Sequence, residues 1–383
     1  MKKSFWKSNA VQSLLASMIC ILLGLLIGYI VLLFINPNGA FQAIVDIMKN
    51  FMNYSKSALQ LKNLGNTLVK TAPLLMCSLS VLFCYKVGLF NIGVAGQYVA
   101  GACAGIYAAL AWGWSWPLCL LFAVAAGMAI SLIVGLLKAY CNVNEVISGI
   151  MLNWIALYTT NMILAKVKET TSPYTFHIAT ENPKAILPSL GLSKLFSGNS
   201  YVSIAIPLAI VIVVIVKILL DKTKIGYELK ATGFNKNAAK YCGMAEKRNI
   251  ILTLMIGGAL AGMGGALLYL TDYEQWQVTA SSVPGMGFNG IAAAFLGGLD
   301  PVGTIFSSYF IQHITSGGAY VDKTMYCSQI SDLIASLIIY MCGFVFFIKY
   351  ALNLYLAKKD NAAAKKETAP PDKAAEEKGG ERA

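Results

Sequence analysis

Charge is so scarce along most of this 383-residue chain that no soluble fold can be built from it. Of its 48 charged residues, 13 crowd into the last 26 positions. Over the rest, about one residue in ten is charged, against roughly a quarter in an ordinary soluble domain. Apolar residues make up 57% of the sequence. These facts exclude a soluble domain, a disordered chain and a disulfide-stapled secreted module, and leave a polytopic membrane protein. The nine cysteines are an odd number with no CxxC spacing, and most sit in apolar runs, where they act as small hydrophobes. The net charge of +12 lies beside those runs, where Lys and Arg mark the cytoplasmic side of a membrane, so no nucleic-acid partner is implied.

A spanning helix needs about 20 apolar residues. Runs of suitable character lie at 11–35, 67–85, 93–112, 117–138, 146–165, 201–219, 250–270, 287–299, 302–318 and 328–349. The fold class expected is therefore an all-α polytopic membrane protein with about ten transmembrane helices. The run 287–299 is short for a crossing and suits a half-helix or re-entrant segment. The first run follows Lys2, Lys3 and Lys7 and reads as a retained anchor. Alternating from an inside N-terminus places both termini in the cytoplasm. It also puts the loop 220–249 inside, with seven basic and three acidic residues. Residues 1–357 then form one transmembrane domain with outer segments 36–66 and 166–200. The tail 358–383, rich in Lys, Glu, Ala and Pro, should be disordered. Helical spacing of Phe41, Ile44, Val45, Met48, Phe51 and Met52 predicts an amphipathic outer helix within 41–64. Three prolines make 166–200 an ordered loop of short turns.

Three GxxxG patterns (Gly24/Gly28, Gly101/Gly105 and Gly258/Gly262) allow close helix approach. A short pattern recurs: Gly88-Leu-Phe-Asn91-Ile-Gly-Val-Ala-Gly96 and Gly287-Phe-Asn289-Gly-Ile-Ala-Ala-Ala. Five spans separate the copies, which predicts an inverted repeat of the kind transporters use. Asn91, Gln97, Asn144, Glu145, Asn153, Asn161, Asn289 and Gln312 lie in or beside spans. Such groups avoid lipid, so they either bond between helices or line a path for a polar, uncharged solute. Asn91, Gln97, Asn153, Phe288 and Asn289 are the path candidates, and Glu145 suits a helix start. No charged pair is evident within a span, which argues against an ion-coupled carrier.

Catalytic signatures are missing. There is no P-loop, no HExxH and no GxSxG, and the two histidines, His177 and His313, are far apart in sequence. Gly285-Met-Gly287-Phe-Asn-Gly290 fits GxGxxG, but without a preceding strand it does not indicate a dinucleotide. Those glycines are expected to give flexible backbone at the mouth of a path. This chain is thus expected to be a transport subunit that binds no cofactor and hydrolyses nothing.

The loop 226–246 has Ala-rich helical stretches around Gly233 and Gly243. Gly233 should break the first and Asn235 cap the second. Ala238, Ala239, Tyr241 and Cys242 give the loop a small apolar face, suited either to a solvated connector or to docking a cytosolic protein.

Here the sequence resembles the membrane permeases of ATP-binding-cassette importers, in the branch containing branched-chain amino acid, simple-sugar and nucleoside permeases. Four blocks carry the resemblance: 88–97, 144–153, 226–243, and 287–298 with Asp300-Pro-Val-Gly303. Phe-Asn-Ile-Gly in the first block is similar to the nucleoside type, while Ala95 stands where the family often has Glu. The resemblance implies a nucleoside permease energised by a separate cytosolic ATPase, which uses ATP and Mg. It further implies a second related permease, a heterodimer rather than a homodimer, and a substrate-binding lipoprotein outside the cytoplasmic membrane. Glu228, Ala231, Gly233, Asn235, Ala238, Ala239, Tyr241 and Gly243 would form the docking loop. A same-family sugar permease and a self-sufficient secondary carrier are the alternatives.

Overall fold

The computed structural model describes residues 9–327 and 329–354. Lys2, Lys3, Lys7 and the tail 358–383 lie outside the described residues. In chain order the helices are α1 (Asn9–Ile35), α2 (Ala40–Lys49), α3 (Ser57–Lys86), α4 (Val94–Leu110), α5 (Trp116–Cys141), α6 (Glu145–Leu164), the single turns α7 (Ile178–Glu181) and α8 (Leu192–Leu195), α9 (Ala205–Lys222), α10 (Lys224–Phe234), α11 (Lys236–Tyr241), α12 (Glu246–Tyr269), α13 (Met286–Leu296), α14 (Pro301–Gly317), α15 (Ile330–Cys342) and α16 (Val345–Leu354). Among the described residues, β structure is limited to two isolated bridges.

Most of each of the ten apolar runs is helical, with 328–349 divided between α15 and α16. The helix starts follow local chemistry. Asn144 caps α6 by accepting from the Val146 N–H at 2.8 Å, and Asp300 caps α14 through the N–H groups of Val302 and Gly303. Pro117 and Pro301 occupy first-turn positions, where a missing N–H costs nothing. Five helices (α1, α3, α5, α6 and α12) are long and apolar enough to cross a bilayer alone, and α15 with α16, bent by 47°, makes a sixth if read as one span. The others are shorter or more charged. With 11 residues, α13 reaches about 16 Å, half of a hydrocarbon core of about 30 Å.

The centre of the molecule is α3, whose apolar window is 89% buried, against 22% for α1 at the rim. The main core joins α3, α4, α5, α9 and α12. A second core joins α1, α2, α14 and α15. Close backbone contact between α12 and its neighbours depends on missing side chains: a Cβ on Gly262 would lie 2.6 Å from the Ala123 carbonyl oxygen and 3.0 Å from Gly127 Cα. Outward, α1, α6 and α9 expose apolar side chains such as Leu22, Leu26, Met151, Ile155, Val211 and Ile215, a surface suited to lipid. The chain is thus a multi-pass membrane protein.

The amphipathic helix is shorter than the spacing predicts, and it turns Ala40, Ala43 and Ile47 toward the bundle and Phe41 and Met48 away from it. α2 ends at Lys49, and α3 already begins at Ser57. Ala40, Ala43 and Ile47 are buried, whereas Phe41 is 70% exposed. Small residues win the inward face because the backbone of Ile47 lies against Gly317 of α14. Asn50 secures the junction, donating to the His313 carbonyl at 2.9 Å. The segment 166–200 is, as expected, an ordered loop. There the Asp272 carboxylate accepts from the Ile178 N–H at 3.0 Å and sits 3.1 Å from His177 Nδ1. Both histidines are therefore bound into structural contacts.

Candidate translocation site and docking surface

Three of the five path candidates meet at the start of α4. Asn91 and Gln97 form a reciprocal amide pair: Asn91 Nδ2 donates to Gln97 Oε1 at 2.8 Å, and Gln97 Nε2 returns to Asn91 Oδ1 at 3.0 Å. Asn91 also donates to Ser80 Oγ on α3. Asn153, from α6, accepts from the Gly96 N–H at 2.8 Å and donates to the Ile92 carbonyl at 3.1 Å. All three side chains are buried. Their amides spend their hydrogen bonds on one another and on the residues 91–97, fixing where α4 begins.

Phe288 and Asn289 behave differently. They occupy the first turn of α13, with Phe288 42% exposed and Asn289 half-buried. The Asn289 side chain makes no hydrogen bond among the described residues. Its helix is held by close packing: a Cβ on Gly287 would lie 2.5 Å from Ala95 Cα, and one on Gly290 would lie 2.7 Å from Cys77 Cβ. So the GxGxxG run is not flexible backbone at a mouth. Gly285 is the N-cap, and the other two glycines are helical packing positions. Gly287 also brings the two recurring Phe-Asn motifs together, because Ala95 lies in the first turn of α4. Two short helices thus meet near their N-terminal ends.

The remaining amides are structural. Asn161 bridges the Ala280 carbonyl and the Trp276 indole N–H, both at 2.9 Å. Gln312 donates to Ser316. Glu145 is not the cap of α6; it pairs with Lys138 at 2.7 Å. One charged pair was not expected. Lys70 lies within the predicted run 67–85, and its ammonium sits 2.6 Å from Glu274 Oε1 and 5.3 Å from the centre of the Tyr273 ring. The partner lies 204 positions away in a loop, so no pattern in α3 signals it. No group of three or more His, Cys, Asp or Glu side chains suited to a metal lies among the described residues.

At the opposite end from the 166–200 loop, α10 and α11 form a compact helical pair. Thr223 caps α10 through the Gly226 N–H, and Asn235 caps α11 through the Ala238 N–H at 3.0 Å. Gly233 does not break α10, which runs on to Phe234. Its missing side chain instead admits the backbone of Val87 and Gly88. Gly88 has φ +77°, a left-handed conformation that favours glycine, and stands three residues before Asn91. Leu229, Thr232 and Ala239 are buried, and Asn249 of α12 donates to Thr232 Oγ1 at 2.8 Å. Glu228 takes ion pairs from Arg248 at 3.4 Å and Lys224 at 3.8 Å. Beyond this seam Phe234 is 96% and Tyr241 94% exposed. Phe234 lines a groove of about 550 Å³ together with Ala231, Asn235, Ala238 and Ala239. Gly243 closes α11 with φ +79°. Sequence reasoning named Tyr241 but passed over Phe234, the more exposed ring.

Residues 63–343 match the family model described as branched-chain amino acid transport system / permease component. The chain is 31% identical to the nucleoside ABC transporter permease protein NupB of Lactococcus lactis, over 94% of this chain and 98% of that one. It is 33% identical to the guanosine ABC transporter permease protein NupP of Bacillus subtilis, over 78% and 85%. A second B. subtilis protein, the guanosine ABC transporter permease protein NupQ, is 30% identical over 64% of this chain and 77% of that one. No solved structure matches. With its broken helices and exposed helical pair, the chain belongs to the branched-chain amino acid transport system permease family.

Proposed function

We propose that this chain is the transmembrane permease of an ATP-binding-cassette importer that carries nucleosides across the cytoplasmic membrane. The observation that carries the reading is the seam at Gly233 and Gly88. It joins two solvent-exposed rings, Phe234 and Tyr241, to the turn leading into the buried Asn91–Gln97 pair. Free aromatic side chains on a basic, polar surface suit a protein partner. A cytosolic ATPase seated there would supply ATP and Mg chemistry, and its motion would reach α4 through the seam. Both termini and α10–α11 would face the cytoplasm, with ten passes counting the short α13 as one and α15–α16 as one.

Similarity across nearly the whole of NupB, and to NupP, supports a nucleoside as the solute. Likeness to two distinct permeases of B. subtilis supports a heterodimeric pair. A binding lipoprotein would deliver solute at the 166–200 end. The test is purification from the native membrane in mild detergent, mass spectrometry of the companions, and uptake of labelled nucleosides and sugars by the reconstituted assembly. A P-loop ATPase, a second permease and nucleoside uptake are expected. A protein that stays alone across several detergents refutes the importer. Uptake of a sugar but no nucleoside refutes the solute.

A further inference from the structure

At the end opposite the docking pair, a cavity of about 350 Å³ opens between the 166–200 loop and the segment after α12. Tyr174, Tyr269 and Trp276 give it three aromatic rings, and Glu274 and Gln277 give it polar groups. Its volume is in the range of about 300–1,000 Å³ typical of small-molecule sites. The rings are fixed. Tyr269 and Trp276 lie 5.7 Å apart between centroids at 58°, and the Trp276 indole N–H is held by Asn161. The backbone of Trp276 is pinned as well, since Thr175 N–H donates to its carbonyl at 3.0 Å.

Its acceptors are not used up. Lys70 holds one oxygen of Glu274 at 2.6 Å, while the other has no partner among the described residues. Gln277 spends its amide nitrogen on Thr279, leaving its carbonyl oxygen free. A wall of fixed rings with unpaired acceptors suits a flat heterocycle that carries N–H donors on its edge.

The position is also telling. Tyr269 ends α12, and α12 packs through Gly265 on the backbone of Tyr98 and Ala102 in α4. Pro284, in the cavity wall, lies two residues before α13 and four before Phe288. The cavity therefore adjoins the end of α12 and the segment that enters α13.

We infer that this cavity is a recognition site of the permease itself, taking the base of a nucleoside between Tyr174, Tyr269 and Trp276, with Glu274, oriented by Lys70, accepting from the N–H edge of the base. Selection for the base would then occur in the membrane subunit as well as in the binding protein. This inference rests on the nucleoside reading above.

The probe is a radiolabelled, azido-substituted purine nucleoside, applied to the complete assembly with its ATPase, second permease and binding protein in proteoliposomes. After illumination, modified peptides are mapped. Label is expected at Tyr174 or within 269–277, displaced by excess guanosine or adenosine and not by ribose. Glu274→Gln should lower labelling and uptake by about tenfold, the effect of losing one charge-assisted hydrogen bond. Tyr174→Leu, at an exposed ring, should do the same and guards against misfolding of the first variant. Nucleoside uptake with a labelled binding protein but no label at this cavity overturns the site and leaves the nucleoside reading standing. Equal displacement by ribose overturns recognition of the base. No uptake and no label on any subunit overturns both.

Discussion

Adding one methyl group at Gly233 should separate ATP hydrolysis from transport. In Gly233→Ala the new Cβ would meet the carbonyl of Val87 and lie 2.9 Å from Gly88 N, where ordinary contact begins at 3.4 Å. Both obstacles are backbone, so no side chain can swing aside. The α10–α11 pair must withdraw from the 87–88 turn by more than about 1 Å to restore contact distance with the Val87 carbonyl. Overpacking of this kind costs about 1–3 kcal/mol. A folded chain stable by about 5–15 kcal/mol survives that loss. The strain falls on a single seam, however, and each 1.4 kcal/mol displaces the equilibrium of the docked arrangement by about tenfold. The variant should insert, fold and retain its ATPase, with nucleoside uptake reduced about tenfold or more and ATP hydrolysis much less affected. Parallel uptake and ATPase assays on the reconstituted assembly measure this directly. Uptake within twofold of the unaltered protein would refute the seam as the coupling route. Loss of the protein from the membrane would refute the claim that the strain is local.

Three further outcomes follow from the geometry. Phe234→Ser and Tyr241→Ser remove rings that are 96% and 94% exposed, so thermal stability should be unchanged while ATPase co-purification falls about tenfold or more; retention of the ATPase in both would refute the docking surface. Asn91→Ala strands the buried Gln97 amide and should cost about 1–3 kcal/mol, read as a lower thermal midpoint, whereas Asn289→Ala breaks no hydrogen bond and should impair uptake at unchanged stability; the reverse pattern would exchange their roles. Gly262→Val forces α12 away from α5 and should abolish folded, monodisperse protein; a normal elution profile in detergent would show the α5–α12 contact to be dispensable.

What the sequence reveals here depends on how far apart the interacting residues lie. Apolar runs are local, so the long apolar helices were legible, and so was the cap at Asn235, which acts within three residues, whereas the start of α6, for which the sequence suggests Glu145, is capped by Asn144. Faces were harder. Hydrophobicity ranks Phe41 above Ala40, but Gly317 leaves room only for a close backbone, and that choice is made 270 residues away. Gly233 looked like a helix breaker because its partner at Val87 and Gly88 is invisible from within the loop.

The same distinction separates two kinds of amide that composition treats alike. Asn91, Gln97 and Asn153 each make at least two hydrogen bonds inside the bundle. Asn289 keeps its bonding capacity, half-buried on the first turn of an 11-residue helix that stops within the bundle. A solute leaving water must replace the hydrogen bonds it loses, so groups with unspent capacity along a continuous line matter more than buried polarity as such. Glu274 and Gln277 at the cavity and Asn289 on α13 are groups of this kind. Asn91, Gln97 and Asn153, by contrast, hold the start of α4 in place, a few residues from the seam at Gly88. On the function proposed above, the bonded amides would transmit a force and the unbonded groups would meet the solute.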